Sequence, residues 1–111
     1  MKTKLKFSVD EIVAISTVLN LIYEIPFNAL NQETKIFFSV GYTLSDTFEK
    51  KRRELIKKLD LLNSHKKVSI TLKYHEAWGL KNILIDQIHL AKNDYQKTNI
   101  QKSINQLDSK K

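Results

Sequence analysis

The sequence predicts an α+β domain that is mostly helical, with a two-stranded antiparallel ribbon over about 2–7 and 67–74 and three or four helices over about 9–24, 32–62, 75–91 and 94–108. Three observations carry this reading. Two short runs alternate apolar with polar residues, the period of a half-buried strand, whereas the rest of the chain repeats its apolar residues every three to four positions. Only two glycines and one proline occur, too few for the many turns of a sandwich or barrel. The length of 111 residues suits one core, so residues 1–111 read as a single domain.

In the first strand, β1 (2–7), Leu5, Phe7 and Val9 alternate with Lys4, Lys6 and Ser8. Ser8, followed three residues later by Glu11, forms a capping box: the hydroxyl accepts from the third helical amide and the carboxylate reaches back to the cap amide. Helix α1 (9–24) therefore starts at Val9. Its apolar residues Ile12, Val13, Ile15, Val18, Leu19, Leu21, Ile22 and Tyr23 surround nearly the whole circumference, as in a helix packed on several sides. Pro26 stops it, because proline has no amide of its own and disfavours helix at Ile25. Residues 26–31 read as a loop.

Asn31 caps the long helix α2 (32–62), whose apolar positions are Phe37, Val40, Leu44, Phe48, Leu55, Leu59 and Leu62, with Lys51 or Arg52 filling the one missing step. Gly41 and the basic step at 50–53 are its weak points, where a bend or break would fall; the reading is one helix, kinked or straight. Asn63, Ser64 and His65 make a turn into β2 (67–74), where Val68, Ile70, Leu72 and Tyr74 alternate with Ser69, Thr71 and Lys73. Helix α3 (75–91) follows, with Ala77, Leu80, Leu84 and Ile88 on one face. Asn93 and Gln96 make a second capping box, opening α4 (94–108) with Ile100, Ile104 and Leu107. Leu5-Lys6-Phe7 and Leu72-Lys73-Tyr74 each run directly into a helix, so the order is β-α-α, β-α-α, a worn-duplication pattern. Two helices between the strands return the chain so that β1 and β2 become antiparallel neighbours.

The charge is concentrated. From Lys50 to Lys73, nine basic residues stand against Glu54 and Asp60, a surplus of seven that equals the net charge of the whole chain. Lys50, Arg53 and Lys57 form one stripe of α2 and Lys51 and Lys58 the adjacent one, opposite Phe48, Leu55, Leu59 and Leu62. With Lys66 and Lys67 these are the candidate binding residues, because a field of one sign attracts a polyanion or an acidic protein surface. Seventeen lysines against two arginines disfavour reading of base edges, for which a bidentate guanidinium is the better tool. Trp78, Tyr74, Phe37 and Phe38 are further candidate anchors; the two adjacent phenylalanines point in different directions from a helix, leaving at least one for a partner or the ribbon.

Catalytic classes find little support. Without cysteine there are no disulfides, thiolate metal sites or thiol nucleophiles, a composition that fits the reducing cytoplasm. His75-Glu76 opens a metalloprotease-like helix, yet the second histidine would fall at Gly79. His75 and His89 lie roughly 21 Å apart along a straight helix, too far to share a metal, and His89 is expected to pair with Asp86. No glycine-rich phosphate loop occurs. Asp10 and Glu11 interrupt the basic N-terminal run before a signal-like apolar region forms, and Ile12–Ile25 is too short to span a bilayer. The expectation is a cytoplasmic, non-enzymatic binding protein with no cofactor, metal or membrane partner.

In its length, its lysine-, isoleucine- and asparagine-rich composition and the basic face Lys50–Lys58, the chain resembles the short accessory proteins of bacterial viruses and mobile elements, anti-CRISPR proteins among them. The resemblance implies an inhibitor of a nucleoprotein or nuclease effector, such as a type VI RNA-targeting one, acting in the host cytoplasm by occupying a nuclease surface or disturbing its guide RNA. The alternative is a direct, sequence-non-specific RNA- or DNA-binding domain.

Overall fold

A computed structural model of the chain describes residues 2–58 and 67–109, the Lys58 side chain excepted. The strands β1 (Lys2–Ser8) and β2 (Lys67–Lys73) form a two-stranded antiparallel sheet, with Leu5 opposite Ile70 and Phe7 opposite Val68. The helices are α1 (Val9–Leu21), α2 (Gln32–Lys58), α3 (Tyr74–Gln87) and α4 (Asp94–Ser109), so the mostly helical α+β class read from the sequence is the observed one. The expected extension of α2 to 62, the turn at 63–65 and Lys66 lie outside the described residues.

Helix boundaries follow local chemistry. Ser8 Oγ accepts from the Glu11 amide at 3.1 Å and Glu11 Oε1 from the Ser8 amide at 3.2 Å, completing the capping box. Asn31 Oδ1 caps α2 through the Thr34 amide. At α4, Asn93 Oδ1 accepts from the Gln96 amide, but Gln96 Oε1 reaches the amide of Lys92 rather than that of Asn93, a cap one residue wider than the box expected. Helix α1 stops at Leu21 rather than 24: Ile25 is extended ahead of Pro26, and Ile22–Glu24 tighten into a 3₁₀ turn. Helix α3 likewise ends at Gln87 rather than 91, with a 3₁₀ turn over Ile88–Leu90 before extended Ala91. A further 3₁₀ turn, Phe27–Ala29, lies in the expected loop.

Helix α1 is the central element, packed against β1, α2 and α4. The inward strand residues Leu5, Phe7, Ile70 and Leu72 join Ile12, Ile15 and Leu19 of α1, Phe38 and Phe48 of α2, Leu80 and Leu84 of α3, and Ile100 of α4 in one core. Phe7 and Phe48 bring the ribbon to α2 with ring centroids 6.1 Å apart. Helix α2 packs on both α1 and α3, so adjacent side chains both find cover. Phe38 is fully buried, and Phe37 is buried edge-on against Trp78 at 4.7 Å, so of the two alternatives expected for the second ring, a partner or the ribbon, the partner is the one that is corrected.

Candidate functional site

Past Phe48, α2 changes its means of attachment. The inward row continues as Glu49, Arg52 and Leu55, so a polar network follows the aromatic core. Glu49 Oε2 accepts from Ser16 Oγ at 2.7 Å and from Asn20 Nδ2 at 3.2 Å, both on α1, while Ser45 Oγ donates to Asn20 Oδ1. The same carboxylate receives Arg52 through Nη2 at 2.6 Å and Nε at 3.2 Å. Hydrogen bonds from Arg52 and then Ser16 hold the Glu49 carboxyl at a pKa of about 2, against the smaller opposing effect of burial. Arg52 thus fills the gap in the apolar row and is an internal tie.

This separates the basic residues into two kinds. Arg53 also reaches Glu49, at 3.3 Å, but its side chain keeps 71% of its exposure, the geometry of a weak surface pair. Lys67 reaches the buried Glu11 at 3.1 Å. Two of the candidate binding residues are therefore tied to carboxylates that the sequence reading left out of account. Among the described residues, by contrast, Lys50, Lys51 and Lys57 have no ion-pair partner. Exposed Ile56 lies between Arg53 and Lys57 in sequence, giving the segment an apolar contact group as well as charge. Lys58 belongs to the helix, with its side chain outside the described set, as is all of Lys66.

The ribbon gathers cations that the sequence reading did not group. Strand alternation turns Lys2, Lys4 and Lys6 of β1 and Lys67 and Lys73 of β2 outward, with Lys2 directly opposite Lys73. The signal was present in the spacing Lys2-x-Lys4-x-Lys6 together with the expected antiparallel pairing. Outside residues 50–73 the acidic and basic residues balance, so the three lysines of β1 leave no trace in the net charge.

The histidines stay apart. His89 sits on the 3₁₀ turn beyond α3, and no hydrogen bond or ion pair joins it to Asp86, contrary to the expected helical contact: the helix has ended and the i, i+3 register is lost. Glu76 is occupied at the start of α3, accepting from the Lys73 amide at 2.8 Å. Among the described residues no group of three metal-ligating side chains converges, and no helix is long and apolar enough to cross a membrane. An open polar cleft of about 280 Å³ is lined by Ser16, Thr17, Asn20, Leu21, Arg52 and Lys92. Trp78 and Tyr74 are partly exposed on α3, at 40% and 54%. Comparison of the chain with protein-family models, with curated proteins and with solved structures finds no match.

Proposed function

We propose that the protein is a non-enzymatic inhibitor that engages a nucleoprotein or nuclease effector through the C-terminal half of α2, in the manner of an anti-CRISPR protein. The observation that supports this reading is the segregation of charge along that segment. Arg52 is turned inward to Glu49, while Lys50, Lys51 and Lys57 stand without a carboxylate among the described residues. Ammonium groups on a helix fixed to the core through Phe48 and Glu49 form a positioned positive surface, suited to an acidic or phosphate-bearing partner.

The test is inhibition of target-activated RNA cleavage by a reconstituted type VI effector with its guide RNA. The expected outcome is inhibition by the native chain and its loss in the variant Lys50→Glu/Arg53→Glu/Lys57→Glu, with helical circular dichroism unchanged. Equal inhibition by the variant would remove this face from the mechanism, and no inhibition by the native chain would remove the effector.

A further inference from the structure

We infer that the outward face of the β1–β2 ribbon is a second binding surface, one that holds the phosphate backbone of duplex nucleic acid without reading its sequence. Two rows of side chains compose it: Lys2, Lys4 and Lys6 on one strand, and Lys67, Ser69, Thr71 and Lys73 on the other. All seven residues are exposed, and none of them is a carboxylate, an aromatic or an arginine; carboxylates stand at the two ends of β2, Glu11 at the Lys67 ammonium and Glu76 at the Lys73 amide. Only Lys67 has an ion-pair partner among the described residues, the buried Glu11.

Such a face works against the ribbon that carries it. Like charges directly opposite one another destabilise an antiparallel pair, and Lys2 stands opposite Lys73. Alternate residues of a strand lie about 7 Å apart and neighbouring strands about 5 Å apart, so each adjacent pair, Lys2–Lys4, Lys4–Lys6 and Lys2–Lys73, is spaced within about a Debye length at physiological salt. An extended polyanion relieves that repulsion, releasing its own counterions as it binds.

The composition selects among polyanions. Lysines act as mobile point charges, and the hydroxyls of Ser69 and Thr71 between them can donate to phosphate oxygens; these are contacts that position a backbone and carry no sequence information. Single-strand binders add aromatic platforms on which unpaired bases stack, and this face has none. A duplex, with its bases already stacked and its phosphates densely spaced, matches what the face offers. DNA and RNA duplexes share this chemistry. The inference does not rest on the role proposed for α2, because the two surfaces use different residues.

The experiment is fluorescence anisotropy of the full chain with short labelled duplexes of arbitrary sequence, one DNA and one RNA, at two salt concentrations. If Lys2, Lys4, Lys6 and Lys73 each neutralise one phosphate, affinity should fall about a hundred-fold between about 50 and 200 mM salt, and only roughly fourfold in Lys4→Gln/Lys6→Gln/Lys73→Gln. Thr71→Glu, which keeps every lysine but plants a carboxylate among them, should weaken binding as well. The variant Lys50→Glu/Arg53→Glu/Lys57→Glu should retain duplex binding, which separates this surface from α2. Preference for one duplex would identify which of the two is the ligand. The inference is overturned by duplex binding that is absent, that survives both ribbon variants unchanged, or that is lost only in the α2 variant. Tighter binding of single strands or of an acidic polypeptide would overturn it equally.

Discussion

Glu49 and Arg52 are three residues apart on α2, and their side chains meet at 2.6 Å on the face turned toward α1. The pair removes one cation from the basic run and fastens the lysine-bearing part of the helix to Ser16 and Asn20. The Glu49 side chain is 19% exposed and that of Arg52 33%, so solvent screens the pair only in part.

Acid should loosen this tie. The folded-state pKa of Glu49, about 2, lies below its ordinary value of 4.5, so the unfolded chain takes up the proton first. The contribution is fully present above pH 4.5 and is lost as pH falls toward 2. We expect Glu49→Gln to destabilise the protein by on the order of 2 kcal/mol at neutral pH, and to flatten this part of the acid dependence. Urea unfolding of both proteins across the acid range checks it; parallel curves would show that the carboxylate contributes nothing through its charge.

Glu11 should matter more for fold than for surface charge. It is 2% exposed, and its carboxylate accepts from the Ser8 amide, from Ser103 Oγ at 3.0 Å and from Lys67 Nζ, joining both strands, α1 and α4. Replacement by alanine leaves the cap amide without its partner and is expected to cost about 2–3 kcal/mol. Glu11→Gln keeps an acceptor and should cost less. Thermal unfolding of the two variants decides it; equal losses would show that the charged carboxylate, rather than an acceptor of that shape, makes the contribution.

Much of this architecture was legible because its signals are local. The alternation at Leu5 and Phe7, the Ser8–Glu11 cap and the Phe37-to-Leu55 repeat each depend on a few neighbouring residues, and each reappears in the structure. The chemistry of the basic face was less legible, because it depends on residues distant in sequence. Arg52 is neutralised from within α2, but the carboxylate that holds it is positioned by Ser16 and Asn20, more than twenty residues away. Lys67 meets Glu11 only because the ribbon and α1 share a corner. The five-lysine ribbon face exists only once β1 and β2 are paired in register.

Gln106 should protect the strand edge. Its carboxamide from α4 accepts from the Lys6 amide and donates to the Lys6 carbonyl, both at 2.7 Å, closing backbone groups that would otherwise face solvent. Gln106→Ala is expected to speed hydrogen exchange at the Lys6 amide and to cost about 0.5–1.5 kcal/mol. Exchange at Lys6 that is unchanged relative to the native chain would mean that the carboxamide adds no protection.

The two glycines should respond differently to alanine. At Gly79 a β-carbon would lie 2.8 Å from Val40 Cγ1 and 2.9 Å from Val40 Cβ, so it meets the stiff, branched base of a side chain across the α2–α3 contact. At Gly41 the nearest atoms are the Cδ1 tips of Ile83 and Ile22, at 2.6 and 2.9 Å, which can swing aside by changing rotamer. Alanine favours a helix over glycine by about 1 kcal/mol, while overpacking costs roughly 1–3 kcal/mol, so the balance turns on which neighbour can give. We expect Gly79→Ala to lower stability by about 1–2 kcal/mol and Gly41→Ala to be nearer neutral. Because the clash at Gly79 is with one residue, Val40→Ala should recover part of the loss, and a double-mutant cycle in urea will give a favourable coupling between positions 40 and 79. Additive losses at these two positions would show that the helices move apart rather than press on Val40.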